Sequence, residues 1–130
     1  MADYGYAGSI LIVDISEGTH ETRPSAPYTS RFIGGHGVAS RLYWELAPPA
    51  AKAFDPENVI VAASGPVAGF PGFAGARWKM VSRTTLNVPE SFNYCNLGER
   101  WGSFLKFAGY DALAVKGRAD KPVYIYINND

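Results

Sequence analysis

Hydrophobic and polar positions divide the chain into short elements bounded by glycine and proline. Segment 9–16 is apolar on both faces of an extended chain, so we predict a strand inside a sheet rather than at its edge. A turn at 16–18 and the polar, β-branched segment 19–23 follow it. Together these three segments predict a β-hairpin.

Two stretches carry apolar residues at helical spacing. In 28–49, Val38, Leu42 and Leu46 recur every four residues until Pro48, which predicts one amphipathic helix with a glycine-rich entry. In 98–109 the spacing again predicts a helix, with Gly109 as its C-terminal cap. The apolar residues of this second helix are Trp101, Phe104, Leu105 and Ala108.

The remaining apolar runs predict strands, and the last two are expected to pair with each other. They are 58–65, 77–83, 90–96, 111–117 and 122–128. Because no repeat or linker divides them, we predict one α+β domain over 1–130, a mixed β-sheet platform with two main helices.

Composition narrows the class of protein. Hydrophobic residues make up 47% of the chain, enough to bury a core. Twelve Lys and Arg balance twelve Asp and Glu, which argues against a nucleic-acid or anionic-membrane partner. The chain also lacks the features of a signal peptide and any apolar run near the roughly 18 residues of a membrane span. We therefore expect a cytoplasmic protein.

Catalytic constellations are absent from the sequence pattern. Cys95 is the only cysteine, which excludes an internal disulfide and an iron–sulfur cluster held by this chain alone, since such clusters take about four thiolates. We expect it to be a buried thiol. The two histidines form no zinc pattern and the carboxylates are scattered, so no catalytic residue is assigned.

Two glycine-rich stretches are candidates for binding. Residues 65–77, GPVAGFPGFAGAR, hold four glycines and end on Arg77, whose guanidinium suits bidentate phosphate binding. The loop matches neither the P-loop nor the dinucleotide fingerprint. An anionic ligand lying on bare backbone and a long turn with ordinary aromatic packing both explain it. The GGHG stretch around His36 likewise suits either an anion or close packing at a helix entry.

Six blocks in order, from about Tyr4 to Asp130, resemble the N-terminal region of the aldehyde:ferredoxin oxidoreductase family of tungsten bis-pterin enzymes. They are YGYAGSILIVDISEGT, FIGGHGVASRLYWE, DPENVIVAASGPVAG, GARWKMVSR, NLGERWGSFLKFAGYDALAVKG and KPVYIYINND. The resemblance implies a platform domain against which the pterins of a tungsten, or molybdenum, cofactor lie.

The resemblance also implies site residues. The phosphate-binding arginine falls on Arg77, and Asn96 supplies a backbone carbonyl to the magnesium between the pterin phosphates. Such a hard cation takes oxygen ligands. Gly65, Gly75 and Gly98 are expected along the pterin surface. Two features depart from the family pattern: His36 replaces a common arginine, and the segment 83–91, expected near the cofactor, is longer.

The resemblance further implies that the cluster cysteines and the substrate-handling residues of the complete enzymes come from beyond this region. We therefore expect an incomplete domain, truncated or a split-off subunit, that is not active alone and works with a large catalytic subunit and ferredoxin. Open apolar surface and an edge strand at VYIYI predict self-association. The alternative is a non-catalytic interaction or assembly protein that keeps the platform without cofactor.

Overall fold

A computed structural model describes residues 5–128 and shows a six-stranded mixed sheet with three helices, in strand order β2-β1-β6-β3-β4-β5. The predicted α+β class is confirmed. The elements are β1 Ser9–Asp14, β2 Thr19–Pro24, α1 Ala26–Phe32, α2 Gly35–Leu46, β3 Val59–Ser64, β4 Trp78–Thr84, β5 Ser91–Leu97, α3 Trp101–Phe107 and β6 Tyr110–Lys116.

The predicted hairpin and the inner position of its first strand are both confirmed. β1 pairs antiparallel with β2 and parallel with β6. β6 in turn pairs antiparallel with β3, so it lies between two strands in the middle of the sheet. Its central residues Ala112 and Ala114 are fully buried, as expected for a strand covered on both edges.

The predicted pairing of the last two apolar runs is wrong. Residues 121–128 form no strand, because β1 and β3 already occupy both edges of β6. Ile127 packs instead against a small apolar cluster, while Tyr124 and Tyr126 are exposed. Within the described residues the sheet edges are β2 and β5. The expectation of self-association through an edge strand at VYIYI therefore loses its basis.

The predicted single helix over 28–49 is two helices. The chain breaks at Ile33, whose φ is 64°, and at Gly34. A Cβ on Gly34 would lie 3.0 Å from the Ser64 carbonyl oxygen and 3.1 Å from the Gly65 Cα, which is tighter than ordinary contact, so glycine suits this close approach to the end of β3. α2 ends at Leu46, before the two prolines, as predicted.

Helices cover the two faces of the sheet unequally. α2 covers one face over the main core, whose fully buried large side chains include Ile10, Val38, Leu42, Val59, Val61 and Val81. α3 covers only part of the other face, over Leu11 and Leu113. The predicted Gly109 cap is confirmed: its φ is 96°, and its N–H donates to the Lys106 carbonyl oxygen at 2.9 Å.

A buried carboxylate fastens the chain before β1 to the sheet. Asp111 is 3% exposed and accepts hydrogen bonds from the Ala7 and Gly8 N–H groups, each at 2.9 Å. The Ser25 hydroxyl donates to the same carboxylate at 2.5 Å. No helix among residues 5–128 is long and apolar enough to cross a membrane.

Candidate functional site

Three of the predicted site residues meet at one end of the sheet. Ser64, Trp78 and Leu97 are register partners across β3, β4 and β5. Continuing this register by one residue beyond each strand places Gly65, Arg77 and Gly98 side by side. We call these three residues the strand-end row.

The two glycines of the strand-end row leave their backbone open. A Cβ built on Gly65 or Gly98 would meet no atom within 4 Å. Neither glycine has a positive φ, so no local strain explains the absence of a side chain. A planar or anionic group can therefore approach the Cα of both glycines from the side where a side chain would stand.

Gly75 has a different explanation. A Cβ there would lie 2.5 Å from the Val67 carbonyl oxygen, so its lack of a side chain is required by packing within the 65–77 loop. Gly69 is similar, since its Cβ would lie 2.9 Å from the Phe107 ring. The loop therefore combines internal packing at its middle with open backbone where it leaves β3.

The Arg77 guanidinium is exposed and has no hydrogen bond or ion pair with any residue from 5 to 128. Side chains alternate along β4, so Arg77 shares its face with Lys79 and with buried Val81, the face covered by α2. Lys79 escaped the sequence prediction, although its position two residues after Arg77 is a signal for a second cation on that face.

The N-terminus of α2 approaches this same end of the sheet. A Cβ on Gly35 would lie 3.9 Å from Lys79 Cγ. α2 has no side-chain N-cap and no acidic residue in its first turn, so its free N–H groups add positive potential there. His36 contacts the Tyr94 ring edge-on at 4.6 Å, and the Lys79 ammonium lies 5.0 Å from that ring's centroid.

Asn96 lies in edge strand β5 opposite Lys79 and two residues before Gly98. It is exposed. Residues 5–128 contain no group of three or more His, Cys, Asp or Glu side chains that suits a metal ion. A cation at this end of the sheet would therefore depend on main-chain oxygens and on oxygens of its ligand.

Trp78, the residue after Arg77, connects that end of the strand-end row to Gly98. Its indole Nε1 donates to the Gly98 carbonyl oxygen at 2.8 Å, and its ring lies 4.2 Å from the Trp101 ring at an interplanar angle of 34°. Gly102 permits this contact, because a Cβ there would lie 2.9 Å from Trp78 Cβ. The sequence pattern showed Trp101 only as an apolar helix position.

Lys106 holds the other side of the row. Its ammonium donates to the carbonyl oxygens of Gly65 at 3.2 Å and Pro66 at 3.0 Å, and also to that of Gly5. Burial lowers the pKa of Lys106, and the negative charge of Asp111 opposes that effect. Lys106 also escaped the sequence prediction, because nothing local indicates a partner 41 residues away.

Two other expectations change. The segment 83–91 connects the far ends of β4 and β5; Arg83 is six residues along β4 from Arg77, roughly 20 Å away at about 3.3 Å per residue. Its altered sequence therefore lies away from the strand-end row. Cys95 is exposed rather than buried, because it lies in edge strand β5, whose residues are all exposed or half-buried. Phe70 and Phe73 contact each other edge-on and remain largely exposed.

Comparison with known proteins gives a consistent result. The family model described as aldehyde ferredoxin oxidoreductase, N-terminal domain, matches residues 10–130. The tungsten-containing aldehyde ferredoxin oxidoreductase of Pyrococcus horikoshii is 35% identical over 98% of this chain. An aliphatic sulfonate oxidoreductase, WOR-like subunit, of Pyrococcus furiosus is 32% identical over the same share.

The chain spans about a fifth of the length of these curated relatives, 21% in the P. horikoshii enzyme. Among solved structures, the active site complex BamBC of benzoyl coenzyme A reductase, in complex with 1,5 dienoyl-CoA, superimposes with a TM-score of 0.89 at 31% identity. The alignment covers 97% of this chain and 19% of that one.

Proposed function

The chain belongs to the aldehyde ferredoxin oxidoreductase family through its N-terminal domain, and from this premise we propose that it forms one wall of a tungsten-pterin cofactor site. The strand-end row carries the proposal. It combines open space at Gly65 and Gly98 with a guanidinium at Arg77 that has no partner among residues 5–128, as a planar ligand with phosphate groups requires.

Arg77 is the proposed phosphate ligand. A guanidinium presents paired N–H donors that match two oxygens of a phosphate, and such charge-assisted hydrogen bonds are about twice as strong as neutral ones. Lys79 and the uncapped N-terminus of α2 add positive potential on the same face. The first turn of α2 contains no carboxylate that would neutralise this positive potential.

Asn96 is the proposed source of a main-chain oxygen for magnesium between the phosphates. β5 has a strand partner on one side only, so alternate carbonyls along it have no ladder partner within the described sheet. Gly65 and Gly98 would let the pterin rings approach the main chain, whereas the role of Gly75 is to shape the loop that borders them. When bound, the cofactor supplies the redox-active tungsten, or molybdenum, at which a carbonyl compound is oxidised.

The chain's own part in that chemistry is to bind and orient. We assign it no proton-transfer residue. Its single cysteine cannot hold a four-iron cluster, so we propose that the cluster and the substrate-handling groups come from polypeptide beyond residues 1–130, in the same chain or a partner subunit. A solved neighbour that is itself a complex supports a shared site of this kind.

The test is retention of metal and pterin. The chain, together with the polypeptide encoded next to it, is produced in cells grown with tungstate or molybdate, purified, and analysed for metal by mass spectrometry and for pterin by fluorescence after oxidation. The proposal expects both to copurify at a fixed ratio to protein. Absence of both in every pairing would contradict it and favour the non-catalytic assembly role.

A further inference from the structure

We propose that Lys106, which lies outside the strand-end row, is a positioning residue that fixes the 65–77 loop where it leaves β3. This inference rests on the proposed function for its biological meaning, because the backbone that Lys106 holds is the proposed cofactor surface. It is carried by the hydrogen bonds of the lysine itself.

The Lys106 ammonium is bound by carbonyl oxygens. It donates to Gly65 at 3.2 Å, to Pro66 at 3.0 Å, and to Gly5 of the segment before β1. An ammonium has three N–H donors, so these acceptors use all of them. Lys106 therefore has no donor left for a ligand, and its effect on the site passes through the backbone that it holds.

The two consecutive carbonyls of Gly65 and Pro66 are the feature that makes the contact specific. They belong to the first two residues of the loop, at the point where the chain leaves the sheet. Their common donor fixes the orientation of both peptide groups. The Gly65 carbonyl oxygen also accepts the Ala68 N–H at 3.1 Å, and Gly34 packs against the Gly65 Cα, so Lys106 adds a link from this first turn of the loop to α3.

α3 holds the strand-end row at a second point. Trp101 lies against Trp78, whose indole donates to the Gly98 carbonyl oxygen. Lys106, five residues or about 1.4 turns later on the same helix, holds the Gly65 side. A rigid helix that contributes no residue to the row thus sets the separation of its two glycines.

Hydrogen exchange of the free chain tests the positioning directly. Lys106→Met keeps the apolar stem and removes every donor, Lys106→Arg keeps a charged donor, and Lys52→Met is the control at an exposed lysine. We expect the hydrogen-bonded loop amides of Ala68 and Phe70 to exchange about tenfold faster in Lys106→Met, with β1 and β6 unchanged. The Arg variant should recover much of the protection, and Lys52→Met should match the wild type.

Unchanged loop exchange in Lys106→Met would overturn the inference. Faster exchange throughout the sheet, with no recovery by arginine, would also overturn it, because it would show a global structural role. Where the Met variant does not fold, Lys106→Gln, which retains two N–H donors, takes its place. The amide exchange rates of its loop must then lie between those of the wild-type loop and those of an unprotected peptide.

Cofactor retention provides the second measurement. In the co-expressed enzyme, Lys106→Met should lower bound pterin several-fold while β1 and β6 keep their protection. If the wild type itself retains no pterin, the proposed function fails, yet the exchange result still decides whether Lys106 positions the loop. Equal pterin content in Lys106→Met and wild type would contradict the link between that positioning and the cofactor.

Discussion

The Trp78 indole donates a hydrogen bond to the Gly98 carbonyl oxygen across 2.8 Å, which ties the start of β4 to the residue after β5. Arg77 immediately precedes this tryptophan, and Asn96 lies two residues before Gly98. This hydrogen bond therefore links the segment that carries the proposed phosphate ligand Arg77 to the segment that carries the proposed magnesium ligand Asn96. Its strength and its effect on the site are measurable separately.

Trp78→Phe should cost about 1 kcal/mol of unfolding free energy, because it removes one part-buried hydrogen bond while keeping an aromatic ring against Trp101. Urea denaturation measures this. Trp44→Phe is the control, since Trp44 is 79% exposed and should change the midpoint little. Equal midpoints for all three proteins would show that the indole hydrogen bond contributes nothing.

Alanine at Gly98 should separate binding from folding. The new Cβ meets nothing within 4 Å, so the stability should change by less than about 0.5 kcal/mol, while pterin retention falls because the methyl group occupies the approach to the backbone. Gly102→Ala is the contrasting variant. Its Cβ would lie 2.9 Å from Trp78 Cβ, which predicts a loss of about 1–3 kcal/mol. A severely unstable Gly98→Ala protein would refute the open-backbone interpretation.

Asp111→Asn should destabilise the protein by about 1–3 kcal/mol, because the carboxylate accepts three hydrogen bonds in a buried position and an amide presents an N–H₂ group to some of those donors. The Ala7 and Gly8 amide hydrogens, which donate to this carboxylate, should also exchange faster in Asp111→Asn. Asp120→Asn, at an exposed aspartate, should leave both measurements unchanged. Wild-type stability in Asp111→Asn would contradict the anchoring role.

The Glu45 carboxylate predicts a pH dependence. The Tyr28 hydroxyl donates to it at 2.6 Å and Arg41 pairs with it, and these contacts lower its pKa below the usual 4.5. Because the pKa of Glu45 is lower in the folded state, the ionised carboxylate stabilises the fold above pH 4.5. This stabilisation is lost as the pH falls through the folded-state pKa. Glu45 is exposed, so solvent screening keeps the contribution below about 1 kcal/mol.

Wild type should therefore be more stable than Glu45→Gln at pH 6, with the difference shrinking toward pH 3. Tyr28→Phe removes the hydrogen bond that contributes most to the lowered pKa of Glu45, so it should reproduce part of the loss at pH 6. Urea midpoints measured across this pH range give the comparison. A difference that stays constant down to pH 3 would rule out the carboxylate as its source.

Much of the sheet was predictable because its signals are local. Apolar runs such as 58–65 and the hairpin at 9–23 correspond to strands in the structure. The break between α1 and α2 was not predictable from apolar spacing, because it follows from the approach of Gly34 to the end of β3. Segment 122–128 was predicted to pair with β6, but β1 and β3 already pair with both edges of that strand. Its structure therefore depended on strand order, which the local β-like pattern does not contain.

The candidate site also contains residues that the sequence indicated and residues that only the structure showed. Arg77 and the glycines could be selected from composition and family resemblance, whereas Trp78 and Lys106 act over 20 and 41 residues of sequence. Such long-range contacts leave no periodic signal. Gly75 shows the converse limit, because a glycine required by the Val67 carbonyl looks the same in sequence as one that lies beside open space.

The most direct test of the proposed cofactor wall is the pterin and metal content of co-expressed enzyme carrying Arg77→Ala, beside the control Arg118→Ala, an exposed arginine after the opposite end of β6. Loss of a charged phosphate contact worth about 1.5–3 kcal/mol predicts that Arg77→Ala binds the cofactor at least about tenfold more weakly, with Arg118→Ala equal to wild type. Equal cofactor content in Arg77→Ala and wild type would contradict the account.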